Sequence, residues 1–240
     1  MSDFYFVLNS DVHFGKWNPN SDVITMNDYK EEAERRLETY IDNNPGKIEF
    51  FLMPGDLTEH GYSAKSLCMN VPEPHDEVQG LKQYLNKWDP KLPVYISAGN
   101  HDEYNAYPHA VHSLIVKRHG ALEYTFKHKG VVFIGCHLYP DNITILKMRL
   151  WYYRKYPIVL FFHYAVEGEF SGPEWWSDKK KDELVKALSG YNIKAIIVGH
   201  RHETVQLDWR GYKVLMGAGT TIAVCKWDSD NQTINIAETI

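Results

Sequence analysis

The chain has 240 residues, of which 44% are hydrophobic and 24% are charged, and its formal net charge at pH 7 is −5. This composition is typical of a globular protein with a sizeable core, and it excludes collagen-like and disordered chains. The acidic balance argues against a polynucleotide-binding protein, and no stretch approaches the roughly 18 consecutive apolar residues of a membrane span.

The predicted elements alternate between short apolar runs, typical of buried strands, and helical patterns with one apolar face. In chain order they are strand 4–8, helix 27–43, strand 48–53, helix 77–88, strand 93–97, helix 108–119, strands 131–136 and 158–162, helix 178–189 and strand 194–198. Four further runs after residue 202 are expected to form an antiparallel meander. The order predicts one layered α/β or α+β domain over residues 1–240.

The three cysteines, Cys68, Cys136 and Cys225, are widely spaced, odd in number and without a CxxC pair. They predict free thiols and no disulfide framework. No basic segment followed by an apolar one precedes the first predicted strand. Both observations are typical of a cytoplasmic protein, and we expect no membrane partner.

Polar residues that can bind metal ions follow five of the predicted strands. These residues are Asp11 and His13, then Asp56, then Asn100, His101 and Asp102, then His163, and finally His200 and His202. Since the carboxyl ends of strands in open α/β sheets usually carry the functional site, we expect these side chains to meet there.

The spacing and the residue types indicate the kind of site. Side chains two apart on an extended segment point the same way, so Asp11 and His13 are expected to share one ion, and His200 and His202 to face one site together. Mixed carboxylate, amide and imidazole ligands suit manganese, iron or zinc and argue against a thiolate zinc site. Seven candidate ligands are too many for one tetrahedral ion and predict two ions bridged by a carboxylate.

The motif order DxH, GD, GNHD, a strand-end His and GHxH resembles the calcineurin-like metallophosphoesterase superfamily, with matches from residue 11 to 202. The resemblance implies a four-layer α/β/β/α sandwich. It assigns one metal to Asp11, His13, Asp56 and His202, and the other to Asp56, Asn100, His163 and His200, with Asp56 bridging both.

The resemblance also implies the chemistry. Two divalent ions lower the pKa of a bridging water, and the resulting hydroxide attacks phosphorus in line. His101 is expected to protonate the leaving oxygen or to stabilise the charged transition state. Asp102 is expected to orient or charge the His101 ring.

The predicted substrate is a small phosphodiester or phosphomonoester. "GDLTEHG" and "LPVYISAGNHD" are similar to the cyclic-nucleotide phosphodiesterase-like branch, which favours small nucleotides. That branch commonly has a second histidine directly after the strand-end His, where this chain has Tyr164. One alternative is a nuclease, because "SDVHFG" resembles the DNA-repair members, although no basic groove is evident. The other is a non-catalytic scaffold that uses the same fold to bind a partner.

Several residues near the motifs have two interpretations from sequence. Trp175 and Trp176 either stack on a base or sugar or pack the following helix onto the core. Arg201 either contacts a phosphate or points to solvent. His137 ends a predicted strand but has no place in the family motifs. Trp17, Tyr104 and Tyr164 are candidate substrate walls; of these, only Tyr164 lies within the residues that the structure describes.

Overall fold

The computed structural model describes residues 2–15, 28–61, 77–103 and 110–240. Its elements in chain order are β1 (Phe4–Leu8), α1 (Asp28–Asn43), β2 (Ile48–Pro54), α2 (Glu77–Trp88), β3 (Val94–Ser97), α3 (Ala110–His119), β4 (Thr125–His128), β5 (Val131–Gly135), α4 (Ile143–Tyr152), β6 (Ile158–Phe161), α5 (Asp178–Leu188), β7 (Ile193–Val198), β8 (Val205–Trp209), β9 (Tyr212–Met216), β10 (Ala223–Asp228) and β11 (Thr233–Thr239). Among the helices of these ranges, none combines the length and the apolar character that a membrane crossing requires.

The strands form two sheets. The first has the order β11-β10-β1-β2-β3, and the second has the order β4-β5-β6-β7-β9-β8. β1, β2 and β3 are parallel to one another, as are β5, β6, β7 and β9. The carboxyl ends of the parallel strands of each sheet therefore lie at one edge of that sheet.

Alternation along the strands separates the two faces of each sheet. On β2, Phe50 stacks on Phe6 and meets Phe133 of the other sheet, while the next residue, Phe51, packs on Trp88 of α2. On β5, Phe133 belongs to the core between the sheets, and Val132 faces the second core with α4 and α5. This period of two is what a strand buried on both faces requires.

The layers are therefore α1 and α2, the first sheet, the second sheet, and α4 with α5. The inter-sheet core is rich in aromatic rings, and the outer core of the second sheet includes Leu146, Leu150, Leu184 and Leu188. The predicted four-layer α/β/β/α sandwich is confirmed.

The expected meander at the end of the chain is wrong. β8 and β9 form a hairpin at the edge of the second sheet, whereas β10 pairs with β1 in the first sheet and β11 completes that sheet. Pairing partners for these short runs depend on which sheet has an open edge, and local sequence does not carry that information. β4 and α4 were not predicted, because the hydrophobic pattern of 125–128 and 143–152 is weak.

Candidate metal centre

Five of the predicted ligand residues share an unusual backbone conformation. The φ angles of Asp11, His13, Asp56, His200 and His202 are 57°, 44°, 48°, 76° and 55°. Residues with a side chain avoid this left-handed region, at a cost of about 1–2 kcal/mol each. Five residues with positive φ at strand ends indicate that the surrounding structure holds these residues in a backbone conformation that they would not adopt on their own.

Hydrogen bonds between loops hold this arrangement. The Asp11 N–H donates to the Gly55 carbonyl (3.1 Å), and the His13 N–H donates to the Asp56 carbonyl (3.0 Å). The loops after β1 and β2 thus run side by side. The Asp11 carboxylate accepts hydrogen bonds from the Ser10 hydroxyl and from the His200 N–H, the latter at 2.9 Å to Oδ1. The loops after β1 and β7, which belong to different sheets, are joined at this carboxylate.

Two glycines permit the close approach of the loops. A Cβ added to Gly99 would lie 2.1 Å from Asp56 Oδ1 and 2.2 Å from the Asp56 nitrogen. Gly55 has a φ of 94°, and a Cβ there would lie 2.5 Å from His163 Nδ1. Contact across the site therefore requires both glycines, and at Gly55 the positive φ favours glycine as well.

Four side chains form the first donor group: Asp11, His13, Asp56 and His202. The Nε2 atoms of His13 and His202 are 3.2 Å apart. His13 Nε2 lies 3.6 Å from Asp56 Oδ2, and His202 Nε2 lies 3.6 Å from Asp11 Oδ1. Two imidazole nitrogens and two carboxylate oxygens thus face a common point.

The second donor group consists of Asp56, Asn100, His163 and His200. His163 Nε2 lies 3.0 Å from Asn100 Oδ1, 3.1 Å from His200 Nδ1 and 3.2 Å from Asp56 Oδ2. On the other side of its ring, His163 Nδ1 lies 3.0 Å from the Pro54 carbonyl. A carbonyl only accepts, so Nδ1 carries a proton. Against the opposing effect of burial, the Asp56 carboxylate raises the pKa of His163 to about 9, so Nε2 also carries a proton unless a cation takes its place.

Asp56 belongs to both donor groups through one oxygen. Its Oδ2 atom faces His13 and His163, while its Oδ1 atom accepts a hydrogen bond from the His101 N–H at 2.9 Å. The side chain is almost completely buried. The structure therefore brings all seven predicted ligand residues together in two groups that share one carboxylate.

His200 and His202 face the same centre, as their spacing predicts, but from different donor groups. His200 lies in the second group and His202 in the first. The expectation assumed an extended backbone, whereas His200 and His202 both have positive φ. Asp11 and His13 do share a group, but they also reach it from left-handed backbone.

The charges of this centre suit a cation. Burial and the Asp56 carboxylate raise the pKa of Asp11 to about 7, against the opposing effect of His163. Burial and the neighbouring His163 lower the pKa of His200 to about 3, which keeps this ring neutral. Ligating imidazoles must be neutral and ligating carboxylates ionised, and a bound cation favours both states.

The lone pairs of the centre also suit a cation. His163 Nε2 lies among the Asn100 and Asp56 oxygens, which are acceptors, so a proton on Nε2 would satisfy only part of the group. His200 contributes its Nδ1 atom to the same group, 3.1 Å from His163 Nε2. Acceptors that face one another in a buried pocket are the arrangement that a divalent metal stabilises. The centre is a candidate metal-binding cluster of Asp, Asn and His residues.

His101 lies beside the two groups and outside both of them. Its Nδ1 atom is 2.8 Å from the Glu59 carbonyl, which accepts the Nδ1 proton, and its ring meets the His13 ring edge-on at 4.6 Å. A second proton on this ring would therefore be carried by Nε2. The side chain is 28% exposed, which leaves the ring accessible from solvent.

We expected Asp102 to orient the His101 ring. Its carboxylate instead contacts the backbone. Its carboxylate accepts hydrogen bonds from the N–H groups of Leu57 (3.1 Å), Thr58 (2.8 Å) and Gly99 (2.8 Å), and from the Thr58 hydroxyl (2.7 Å). The side chain is fully buried. Asp102 therefore joins the loops after β2 and β3.

Glu59 is a residue that sequence reasoning missed. Its Oε2 atom lies 2.8 Å from His13 Nδ1, and its backbone carbonyl holds His101. A carboxylate on the far nitrogen of a ligating histidine fixes the ring orientation and raises its basicity. The only available signal was the position of Glu59 three residues after the predicted ligand Asp56.

Glu59→Gln is expected to weaken metal binding about 10–100-fold, because His13 would lose the anionic partner that orients it. Equilibrium dialysis of Glu59→Gln and wild-type protein against Mn²⁺ or Zn²⁺ measures this. Glu49→Gln is the matched control, because Glu49 also contacts a histidine, His128, at 2.8 Å but lies outside the centre. Equal affinities for Glu59→Gln and wild type would contradict the role of Glu59.

Aromatic rings border the centre at His200. The Trp175 ring meets the His200 ring edge-on at 4.3 Å, and Tyr164 and Phe170 lie 5.0 Å and 5.8 Å from it. We call Tyr164, Phe170 and Trp175 the aromatic wall. Phe170 is 52% exposed, so part of this wall is open to solvent.

The two adjacent tryptophans separate into different environments. Trp176 is buried, its N–H donates to the Ala165 carbonyl at 2.9 Å, and its ring packs in the outer core of the second sheet. Trp175 faces the centre.

The Arg201 guanidinium is held by neighbouring residues. It pairs with Glu203 at 2.8 Å and donates to the Glu167 carbonyl at 3.2 Å.

Comparison with known proteins agrees with this geometry. Residues 4–204 match the calcineurin-like phosphoesterase family. The chain is 25% identical, over 225 residues, to the 3′,5′-cyclic adenosine monophosphate phosphodiesterase CpdA of Haemophilus influenzae, and the match covers 89% of this chain and 75% of that protein.

Two solved structures show the same fold. GAP50, described as the anchor in the inner membrane complex of Plasmodium, has a TM-score of 0.67 at 15% identity, with 99% of this chain and 88% of that chain covered. A dimetal phosphatase from Danio rerio has a TM-score of 0.66 at 11% identity, with 99% and 98% covered. The chain belongs to the calcineurin-like phosphoesterase family, whose members depend on metal ions, and it is a phosphoric ester hydrolase.

Proposed function

We propose that this protein is a dinuclear metal-dependent phosphodiesterase that acts on a small nucleotide-like substrate. The observation that carries the proposal is the single Asp56 oxygen that faces both donor groups. A shared carboxylate oxygen is what a pair of ions roughly 3.5–4 Å apart requires.

The proposed ligands follow from the two groups. Asp11, His13 and His202 would hold one ion, Asn100, His163 and His200 would hold the other, and Asp56 would bridge them. The oxygen and nitrogen donor set suits manganese, iron or zinc. When bound, two such ions supply an activated water as nucleophile and neutralise charge on the phosphate.

The protein's own residues complete the reaction. His101, with Nδ1 held by the Glu59 carbonyl, would carry a transferable proton on Nε2 and deliver it to the leaving oxygen. Its N–H fixes Asp56 Oδ1, so the same residue also orients the bridging carboxylate. Asp102 keeps the two loops in register and is therefore a positioning residue.

The aromatic wall supports a substrate that carries a base. Base–aromatic stacking contributes about 1–3 kcal/mol per base and tolerates different bases. Trp175, edge-on to the proposed ligand His200, would place a stacked base beside the phosphate. The Haemophilus influenzae relative is a cyclic-nucleotide phosphodiesterase, which is consistent with such a substrate.

Trp175→Ala is expected to raise KM for a nucleotide diester by roughly 5–100-fold, with a small change in kcat, because stacking binds ground state and transition state alike. Steady-state kinetics with 3′,5′-cyclic AMP and with glycerophosphoethanolamine, which has no base, test this. The control is Trp151→Ala, since Trp151 is 60% exposed on α4. Equal KM changes for both substrates would refute base stacking.

The alternatives make different predictions. A nuclease would degrade single-stranded or double-stranded DNA, and a scaffold would bind its partner after metal removal. The same architecture also occurs in GAP50, the anchor in the inner membrane complex of Plasmodium. The complete donor set around Asp56 favours catalysis over a scaffold role.

We also propose a cytoplasmic location, supported by the free, buried thiols of Cys136 and Cys225.

The experiment that tests the proposal compares bis(p-nitrophenyl) phosphate, p-nitrophenyl phosphate and 3′,5′-cyclic AMP. Metal-stripped protein would be reloaded separately with Mn²⁺, Zn²⁺ and Fe²⁺, with Asn100→Ala assayed in parallel. We expect metal-dependent diester cleavage that is strongly reduced in the variant. Hydrolysis of the monoester alone would overturn the diester assignment, and failure of the folded protein to bind any ion would overturn the dinuclear mechanism.

A further inference from the structure

A second cluster of donor side chains lies outside the centre described above. It consists of Glu103, His112 and His137, which come from the turn after β3, from α3, and from the position after β5. The Nε2 atoms of His112 and His137 lie 3.0 Å and 2.9 Å from the same Glu103 oxygen, Oε1. The two Nε2 atoms are 3.3 Å apart.

The three distances match the edges of a metal coordination shell. With metal–ligand bonds of about 2.0–2.1 Å in a tetrahedral site, neighbouring donor atoms lie roughly 3.3 Å apart. Two N–H groups can donate to one carboxylate oxygen, but the two donor nitrogens then lie 3.3 Å apart with no acceptor between them. A cation between the three atoms would be attracted by all of them. Two histidines and one glutamate are also a ligand set that catalytic zinc sites use.

The backbone of His137 provides an independent observation. Its φ is 58°, the same left-handed conformation as five residues of the metal centre. His137 follows β5 directly after Cys136, just as His200 follows β7 after Gly199. A residue with a side chain adopts this conformation at a cost of about 1–3 kcal/mol, and such costs concentrate at functional sites.

Charge and access also suit a cation. The Glu103 carboxylate gives the cluster one negative charge, and its Oε1 atom faces both imidazole nitrogens. The three side chains are 17–28% exposed. An ion from solvent can therefore reach a donor set that carries one negative charge.

We propose that Glu103, His112 and His137 bind a third divalent cation of the zinc class, separate from the centre around Asp56. The His137 carbonyl accepts the His163 N–H at 3.2 Å, and the Glu103 N–H donates to the Asn100 carbonyl at 3.1 Å. The third ion therefore lies next to the part of the centre formed by Asn100 and His163. Three protein ligands leave a coordination position for water or a phosphate oxygen.

The test counts bound ions by equilibrium dialysis against Zn²⁺, followed by elemental analysis of folded, metal-stripped protein. We expect His112→Gln and Glu103→Gln each to bind one Zn²⁺ fewer than wild type. His128→Gln is the matched control, because His128 also contacts a glutamate, Glu49, at 2.8 Å but lacks a second histidine. This control is expected to bind as many ions as wild type.

A double variant separates the third site from the proposed dinuclear centre. In Asp56→Asn/His112→Gln, the losses of Zn²⁺ are expected to add, because the two substitutions affect different sites. The visible absorption of Co²⁺-loaded Asp56→Asn protein should likewise weaken when His112→Gln is added. Unchanged stoichiometry in both single variants would overturn the third site. Losses that do not add would assign the ion to the centre around Asp56 instead.

Discussion

Asp56→Asn is expected to abolish metal-dependent turnover and to weaken both proposed metal sites together. One Asp56 oxygen faces His13 and His163, so its replacement by an amide removes an anionic donor from each group at once. Substitution of an outer partner of a metal ligand typically costs about 10–100-fold in affinity or activity. Substitution of a ligand that both sites share should have a larger effect. We therefore expect a loss of activity of more than about 100-fold.

Metal analysis and diester hydrolysis measured on the same preparation check this prediction. Glu34→Gln is the control, because Glu34 is also a buried carboxylate but is bound to Lys87 and Trp88, outside the centre. It should change thermal stability and leave metal content intact. Retention of one tightly bound ion by the double variant Asp56→Asn/His112→Gln, in which the site around Glu103 is also removed, would contradict the bridging role, since a bridging carboxylate cannot be lost from one site alone.

His101→Gln is expected to lower kcat by about 10²–10⁴-fold, as removal of a general acid does, while metal content stays at the wild-type level. The effect should depend on the leaving group. An alkoxide such as the ribose oxygen of a nucleotide needs protonation, whereas p-nitrophenolate leaves without it. The defect should therefore be large with 3′,5′-cyclic AMP and small with bis(p-nitrophenyl) phosphate.

This dependence separates proton transfer from a structural role. The hydrogen bond to Asp56 comes from the backbone N–H of residue 101 and is retained in His101→Gln. The bridging carboxylate therefore keeps this support. His60→Gln serves as the control, because His60 belongs to the same loop as Glu59 but contacts Glu77 at 3.1 Å. An equal loss with both leaving groups would assign His101 to stabilisation of charge on the phosphate instead of proton delivery.

The sequence alone predicted the features that depend on short-range pattern. Apolar runs such as Phe4–Leu8 and Ile193–Val198 form strands because β-branched and aromatic residues pack well on a buried pleated surface. The polar residues after the strands of one sheet had to meet, because parallel strands end at the same edge of a sheet. The packing of the two sheets then brought the residues of both edges together. The motif order then indicated the family and the four layers. It also assigned His200 and His202 to different ions, and they lie in different donor groups.

Only the tertiary structure decided the contacts between residues that are distant in the chain. Asp102 binds backbone of another loop, Glu59 contacts His13, and His112 meets His137 from a different sheet–helix unit. β10 and β11 joined the first sheet because β1 offered a free edge there. Each of these pairings closes a long loop and depends on the packed sheets to hold both partners. A pattern that is local in sequence therefore predicts which residues reach the site, and the packing decides what each of them touches.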